Sequence, residues 1–449
     1  MRIASCYALP QSWYHYMGYQ TFQKVTLLEI TYPSWKGTQM NTTNTAIDKR
    51  SITAPDNRSN ADSTYKAEAG RHWCAIYGNA MSITDHRVET YSKDLTLRYP
   101  VKVPFAGSAL RFTFDNFCGT ESITISAAFA AMTGNTPESI IKETSKQITF
   151  DGNVSIIIPA GKRILSDPLP FPVSQGDSVS VSFYLKDFTL MRSGVIATGP
   201  FSKGFYSVHN HTTAEVLPLN ETRKTNCFYF LSDISLYTDS CNHAVICYGD
   251  SITSQDWPDY MLAECLKVPD NHTAIIRKAA SGTRILRQYD NITYESYGLM
   301  GKIRFPHELP VAGADTIIIQ QGINDIIHPV GTDVNPFRPM SDLPTIDELT
   351  EGLIWYIQEA RKLGYHIFMG TLLPIEGWRT YAPFRETLKN QVNDFIRSTD
   401  LIDTCIDFDK EVRDPAHPAA FRTGYNSGDH LHPSAAAYEA MGRLAFRSL

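Results

Sequence analysis

Between residues 90 and 185, short runs of the chain alternate between apolar and polar residues with a period of two. The apolar members of these runs are Leu95, Leu97, Tyr99, Val101, Leu110, Phe112, Phe114, Ile123, Ile125, Val179, Val181 and Phe183. Glycine and proline residues separate the runs, for example at Gly107, Gly134 and Gly176. Short alternating strands at this spacing are typical of an antiparallel sandwich. We therefore predict an all-β, jelly-roll-like sandwich domain over residues 90–240.

Near residue 240 the pattern changes to continuous apolar runs that alternate with helical patterns. The runs are AVICY (244–248), TAIIRKA (273–279), DTIIIQQ (315–321), HIFMGTLL (366–373) and LIDTCIDF (401–408). Continuous apolar runs are what a parallel sheet covered on both faces requires. Thr345 and Glu348 form a capping box that begins a helix, and Gly364 ends it. Residues 241–449 are therefore predicted to form a doubly wound α/β domain, in which ligands bind at the carboxyl ends of the strands.

The first 90 residues carry a weaker pattern. Residues 37–64 are nearly all polar, which predicts a long exposed loop. We expect residues 1–90 to form an N-terminal segment that is partly loop and packs on the β domain.

Composition and charge exclude several classes of protein. The chain has 449 residues and a formal net charge of −6, so it lacks the basic surface that nucleic acid requires. No apolar run approaches the roughly 18 residues of a membrane span. The N-terminus lacks the basic start and the apolar stretch of a secretory signal. We expect a cytoplasmic protein that binds neither nucleic acid nor membrane and can form a homo-oligomer, although a removed signal would leave the same chain.

The cysteine pattern argues against a zinc site and against a disulfide framework. The eight cysteines are Cys6, Cys74, Cys118, Cys227, Cys241, Cys247, Cys265 and Cys405. They are scattered without a C-x-x-C pair, and several lie in apolar runs, where a free thiol behaves as a small hydrophobe. We predict reduced core cysteines and no metal site.

Candidate chemistry begins where the first apolar run of the α/β region ends, at Gly249-Asp250-Ser251. Alone, this tripeptide is more often a turn followed by a helix cap. The far end of the chain changes the picture, because Asp429 and His432 stand in an Asp-x-x-His spacing just ahead of the last helix. A serine hydroxyl becomes nucleophilic only when an imidazole accepts its proton and a carboxylate orients that imidazole. His430 is the competing histidine, but its position next to Asp429 makes it less able to share the carboxylate.

Two further segments follow apolar runs of the α/β region. Gly322-Ile323-Asn324-Asp325 follows DTIIIQQ, and a side-chain amide there can donate to the oxyanion that forms when an ester carbonyl is attacked. Ser281-Gly282 follows TAIIRKA and can supply a backbone N–H, since glycine allows close approach of the main chain to a ligand. Each of these segments is by itself also compatible with a plain turn.

Taken together, these motifs resemble the SGNH, or GDSL-type, hydrolases over roughly residues 243–449. The resemblance rests on Gly249-Asp250-Ser251, Gly322-Ile323-Asn324-Asp325 and Asp429-His430-Leu431-His432, in this order. It implies a flavodoxin-like three-layer hydrolase domain that needs no metal and no cofactor. It also implies that Ser251 is the nucleophile, that His432 is the base and that Asp429 orients it. The implied oxyanion hole consists of the Ser251 and Gly282 N–H groups and the Asn324 amide.

The β region, especially RFTFDNFCGTESITISAAFAAM (111–132) and IIIPAGKRILSDPL (156–169), resembles the accessory domain that precedes the catalytic domain in some bacterial members of this family. We expect an esterase that removes short acyl groups, above all acetyl, from a small ester or an acylated saccharide. Trp378, in the loop after the fourth apolar run, is a candidate substrate-stacking residue. Two alternatives stay open: a lipase, lysophospholipase or thioesterase for longer acyl chains, and an inactive carbohydrate-binding relative.

Overall fold

Two kinds of β-sheet follow each other along the chain in the computed structural model, which describes residues 69–83, 91–218, 223–289, 291 and 293–449. The loop predicted at residues 37–64 lies outside the described residues. Antiparallel strands occupy the region up to Asp239, and parallel strands begin at His243. A β-rich region followed by an α/β domain is the predicted fold class, which is confirmed.

The antiparallel region contains strands β1 to β18. Their bounds are β1 (Arg71–Gly78), β2 (Ser82–Ile83), β3 (Tyr91–Ser92), β4 (Leu95–Lys102), β5 (Gly107–Asp115), β6 (Ile123–Ile125), β7 (Ala127–Met132), β8 (Lys146–Gln147), β9 (Ile156–Ile158), β10 (Arg163–Leu165), β11 (Leu169–Val173), β12 (Ser178–Leu185), β13 (Thr189–Leu190), β14 (Ser193–Ile196), β15 (Gly204–Val208), β16 (Arg223–Thr225), β17 (Cys227–Tyr229) and β18 (Leu231–Asp239). One sheet has the order β1-β18-β5-β10, with β11 also paired to β5, and a second has the order β16-β15-β4-β12-β7-β8. A small sheet, β17-β14-β2, stands beside them.

The apolar positions of the alternating runs lie in the core, as their period predicts. In β4 the polar residues Thr96 and Arg98 are buried as well, because residues 209–214 cover the opposite face of the strand. Arg98 is 0% exposed and donates to the Ser182 hydroxyl (2.8 Å) and to the carbonyls of Glu138 (2.7 Å) and Ala214 (2.8 Å). A buried guanidinium is tolerated here because several acceptors satisfy it.

The α/β region has one parallel sheet of five strands. These are β19 (His243–Gly249), β20 (Thr273–Ala279), β21 (Ala314–Gln320), β22 (His366–Gly370) and β23 (Thr404–Ile406). Their order, β20-β19-β21-β22-β23, is the 2-1-3-4-5 order of flavodoxin-like folds. The helices are α1 (Ser251–Ser254), α2 (Trp257–Cys265), α3 (Gly301–Glu308), α4 (Ile323–Ile327), α5 (Ile346–Lys362), α6 (Pro383–Ser398), α7 (Phe408–Val412) and α8 (Ala435–Arg447).

The last two strands are shorter than their apolar runs. β22 ends at Gly370 because Leu372 bonds to a side chain instead of a neighbouring strand: its N–H donates to Asn393 Oδ1 (2.7 Å), and its carbonyl accepts from Asn393 Nδ2 (2.8 Å). The capping box on Thr345 and Glu348 is present at the start of α5. Each strand still ends on the same edge of the sheet, which brings the candidate site residues to one side of the domain.

The two sheet types are in direct contact. β1, which falls in the segment expected to precede the β domain, pairs with β18 and packs against β20. Lys278 of β20 is 2% exposed and reaches across to the Asp233 carboxylate (2.7 Å). The boundaries at residues 90 and 240 remain a prediction. In the described ranges, no helix combines the length and the apolarity that crossing a bilayer requires.

Of the eight cysteines, the seven within the described ranges are free thiols, and Cys6 lies outside them. Five are buried, in agreement with core cysteines. Cys241 is exposed and Cys405 is half-buried, so these two differ from the core prediction.

Candidate active site

Ser251 lies at a sharp turn from strand to helix, since β19 ends at Gly249 and α1 begins at Ser251. The cap of α1 is Asp250, whose carboxylate accepts from the Ile252 N–H (3.0 Å), and not the serine. A side chain at position 249 would lie 2.4 Å from Thr253 Oγ1 and 2.5 Å from the Gln320 carbonyl, so only glycine fits. Burial raises the pKa of Asp250 to about 7, although the hydrogen bond from the Ile252 N–H acts in the opposite direction. Because Asp250 caps the helix, the Ser251 hydroxyl remains available to bond to another residue.

That partner is His432. The distance from Ser251 Oγ to His432 Nε2 is 2.9 Å, and His432 Nδ1 lies 2.6 Å from Asp429 Oδ2. The other oxygen of Asp429 accepts from the backbone N–H groups of Leu431 (2.9 Å) and His432 (2.8 Å). Because an ionised carboxylate only accepts, the proton of the neutral ring belongs on Nδ1, which leaves Nε2 to accept from the serine.

The electrostatics of Asp429 suit this arrangement. Burial alone would raise the pKa of its carboxyl, but the hydrogen bond and the charge of His432 and the two backbone N–H groups outweigh burial. The pKa of Asp429 is therefore held well below its ordinary value. The carboxylate stays ionised at neutral pH, where it can stabilise a positive charge on His432.

Two donor groups from neighbouring strand ends lie beside the serine turn. Asn324 is 3% exposed, and one N–H of its side-chain amide donates to the Thr283 carbonyl (3.1 Å). The second N–H of the amide remains available to donate to a ligand. Gly282 has a φ of +78°, a conformation that favours glycine. Within the described ranges, the Gly282 N–H donates to no protein acceptor. Ser251, Gly282 and Asn324 thus come from three strand ends of one sheet edge.

Buried charges hold these strand ends together. Asp325 accepts from the Ile285 (2.8 Å) and Leu286 (3.1 Å) N–H groups, and burial raises its pKa to about 6. Arg304 is 0% exposed and donates to the carbonyl of Gly249 (3.2 Å) and to the Thr283 hydroxyl (2.9 Å). Arg304 therefore connects the serine turn with the loop that follows β20. Its sequence position, inside a helix, gives no signal of this contact.

Sequence reasoning also missed Tyr297, which lies on a 3₁₀ turn, Glu295–Tyr297. A methyl group at Gly282 would lie 2.9 Å from the Tyr297 ring, so the ring covers this glycine. The ring also lies 4.9 Å, centroid to centroid, from that of His328. His328 follows Asn324 by one turn of helix, its N–H donating to the Asn324 carbonyl (3.1 Å). Tyr297 and His328 therefore form a wall next to the two donor groups.

Trp378 does not present the stacking surface that was expected of it. Its side chain is 7% exposed and packs in the hydrophobic core, and the Arg379 guanidinium covers its ring at 4.6 Å. The loop after β22 turns back on itself, with the Trp378 N–H on the Ile375 carbonyl (3.0 Å), which buries the indole. This placement contradicts the interpretation of Trp378 as a substrate-stacking residue.

The competing histidine, His430, points elsewhere. It is exposed, has a φ of +66° and packs against Gly377 in the loop after β22. Across the part of the chain that the structure describes, no three His, Cys, Asp or Glu side chains form a group suited to a metal ion.

Comparison with known proteins agrees with the sequence motifs. The model of the GDSL-like lipase/acylhydrolase family matches residues 247–440. No curated protein matches the chain. Similar solved structures include an acetylxylan esterase from Geobacillus stearothermophilus (20% identity, 46% of this chain, 93% of that chain, TM-score 0.33). Another is a GDSL-like lipase from Bacteroides thetaiotaomicron (16% identity, 45% of this chain, 86% of that chain, TM-score 0.32). Residues 247–440 are therefore a domain of the GDSL-type, or SGNH, hydrolases, and the protein is an ester hydrolase.

Proposed function

We propose that this protein is a serine esterase that removes short O-acyl groups, above all acetyl, from carbohydrate. The observation that carries the proposal is the hydrogen-bonded chain from Ser251 through His432 to Asp429, at 2.9 and 2.6 Å. These distances are those at which a base can take the proton of a hydroxyl nucleophile and be oriented by a carboxylate.

The reaction proceeds in two steps. Ser251 Oγ attacks the ester carbonyl and passes its proton to His432 Nε2, and the protonated ring then gives that proton to the departing alcohol oxygen. Water then attacks the carbonyl of the acyl-Ser251 ester and loses its proton to the same nitrogen. His432 returns this proton to Ser251 Oγ as the bond between Oγ and the acyl carbon breaks and the carboxylic acid leaves. The negative oxygen of each tetrahedral intermediate accepts from the Ser251 and Gly282 N–H groups and the free N–H of Asn324.

The surroundings of the catalytic histidine support a polar leaving group. The departing oxygen must lie next to His432 Nε2, so the leaving alcohol meets the loop that carries Asp429 and His432. Residues 422–430 of this loop, RTGYNSGDH, contain no aliphatic side chain. A sugar hydroxyl suits such a surface better than the glycerol backbone of a lipid packed among acyl chains. On the other side, the Tyr297 ring over Gly282 leaves little room for a long acyl chain.

A series of p-nitrophenyl esters from acetate to palmitate, together with an O-acetylated saccharide, tests the proposal. We expect kcat/KM to be highest for acetate or propionate and to fall by at least about tenfold by decanoate, because a closed pocket excludes added methylenes. Acetate release from the acetylated saccharide should be measurable at micromolar enzyme. A steady rise of kcat/KM from acetate to palmitate would contradict the proposal and favour the lipase alternative.

Asn324→Ala tests the oxyanion assignment. We expect kcat to fall on the order of 10²–10³-fold with little change in KM, because the amide serves the charge that develops on the carbonyl oxygen. Steady-state kinetics on p-nitrophenyl acetate measure both constants. Asn390→Ala, on the exposed face of α6, is a matched control, since the Asn390 amide bonds to the Glu386 carboxylate of the same helix (3.3 Å). An effect of Asn324→Ala on KM alone would make Asn324 a substrate-binding residue instead.

A further inference from the structure

The small sheet of the β region, β17-β14-β2, contacts the turn that carries Tyr297. Arg192, next to the start of β14, pairs its guanidinium with the Glu295 carboxylate. The same guanidinium is fixed from behind, because Arg192 Nε donates to the Cys118 carbonyl (2.9 Å). The two side chains are 14% and 33% exposed, so the pair is largely shielded from water. A shielded ion pair of this kind contributes more stabilising free energy than an ion pair on an open surface.

A second contact comes from the same sheet, at Ser82 of β2. Gly298 follows Tyr297 and has a φ of +77°. A methyl group at Gly298 would lie 2.7 Å from Ser82 Oγ and 2.7 Å from Thr283 Cγ2. The backbone of Gly298 is therefore enclosed between the β region and Thr283, whose carbonyl accepts from the Asn324 amide. The β region thus holds both ends of the short segment Glu295–Gly298.

This segment is where the acyl chain of a substrate is expected. In a tetrahedral intermediate on Ser251, the leaving oxygen lies beside His432 and the negative oxygen lies at the Gly282 N–H. The remaining substituent of the tetrahedral carbon, which is the carbon chain of the acyl group, points away from His432. On that side the Tyr297 ring covers Gly282 and packs at 4.9 Å on the His328 ring.

We propose that Tyr297 limits the length of the acyl group and that the β region, through Arg192 and Ser82, holds Tyr297 in place. Tyr297 is then a specificity-determining residue, and Arg192 is a positioning residue that acts through Glu295. The β region contributes to the selectivity of the hydrolase and not only to its folding. This inference rests on the proposed function, because it assigns the acyl side of the same site.

Tyr297→Ala tests the wall directly. We expect the ratio of kcat/KM for p-nitrophenyl hexanoate to that for the acetate to rise by at least about tenfold, since the space vacated by the ring accepts added methylenes. Tyr297→Phe keeps the ring and should keep the wild-type ratio. Thermal unfolding shows whether Tyr297→Ala is folded. If it is not, Tyr297→Val takes its place, and the hexanoate-to-acetate ratio of kcat/KM is again expected to rise.

Arg192→Met tests the positioning through the β region. We expect the same ratio to rise by about three- to fivefold, because loss of the pair with Glu295 releases the turn without removing the ring. Arg192→Lys, which retains a cation, should restore most of the wild-type ratio. Arg163→Met is the matched control, because Arg163 also reaches from the β region to the α/β domain, donating to the His307 carbonyl (2.9 Å), but away from this turn.

An unchanged ratio in Tyr297→Ala would overturn the proposed wall. An equal rise in Arg192→Met and Arg163→Met would overturn the positioning, because any loosening of the interface would then have the same effect. Failure of this inference is distinguishable from failure of the proposed function, since the wild-type chain-length profile reports the latter by itself. A wild-type preference for acetate with an unchanged Tyr297→Ala ratio contradicts the wall alone.

Discussion

Ser251→Ala is expected to lower kcat for short esters by about six orders of magnitude, the loss that follows when the nucleophile of a serine hydrolase is removed. The reason is covalent: without Oγ no acyl-enzyme forms, and only the oxyanion donors, which are the backbone N–H groups of residues 251 and 282 and the Asn324 amide, remain to act on bound ester. A fluorophosphonate probe should label the wild-type protein at Ser251 and leave the variant unlabelled. Peptide mapping of the adduct and active-site titration measure the two effects.

Ser254→Ala is the matched control for this experiment, since it makes the same substitution three residues later in the same short helix. Ser254 is buried, and its hydroxyl bonds to the Ser251 carbonyl and to Ser281 at 3.2 Å each. We expect the control to be labelled and to keep most of its turnover. An adduct that maps to another serine in the wild-type protein would contradict the assignment of Ser251.

The residues that come together at the site could be predicted because their signals are local. Gly249-Asp250-Ser251 directly follows an apolar run, and the parallel sheet brings the ends of its strands to one edge. Asp429 and His432 lie within one turn of each other in sequence, so a single loop conformation decides their contact. Short-range spacing of this kind specifies geometry without knowledge of the rest of the fold.

The sequence could not predict contacts that depend on distant parts of the chain. Arg192 and Glu295 are separated by 103 positions, and nothing in either neighbourhood indicates that they pair. Trp378 was misinterpreted for a related reason: its position after a strand is correct, but burial of the indole depends on how the following loop folds back and on Arg379. Arg98 of β4 is buried because a loop more than 100 residues later covers it.

His432→Ala is expected to reduce kcat on the order of 10⁶-fold, because it removes the proposed base that accepts the proton of Ser251. His432 is 5% exposed and bonds on both sides, to Ser251 and to Asp429, so its loss also leaves the partly buried Asp429 carboxylate without its imidazole partner. A fall in unfolding temperature should therefore accompany the kinetic loss. Fluorophosphonate labelling of the folded variant at 20 °C separates the two effects, since a folded protein with an inactive serine stays unlabelled.

The matched variant is at His430, two residues earlier in the same loop. His430→Asn is preferable to alanine there, because asparagine tolerates the φ of +66° that this position adopts. His430 is exposed and packs on Gly377, so the variant should retain most of its turnover and its labelling. Comparable losses from both variants would contradict the assignment of the base to His432 alone. If His430→Asn lost its turnover while His432→Ala kept it, the roles of the two histidines would be exchanged. That result would require a loop conformation in which His430 turns inward.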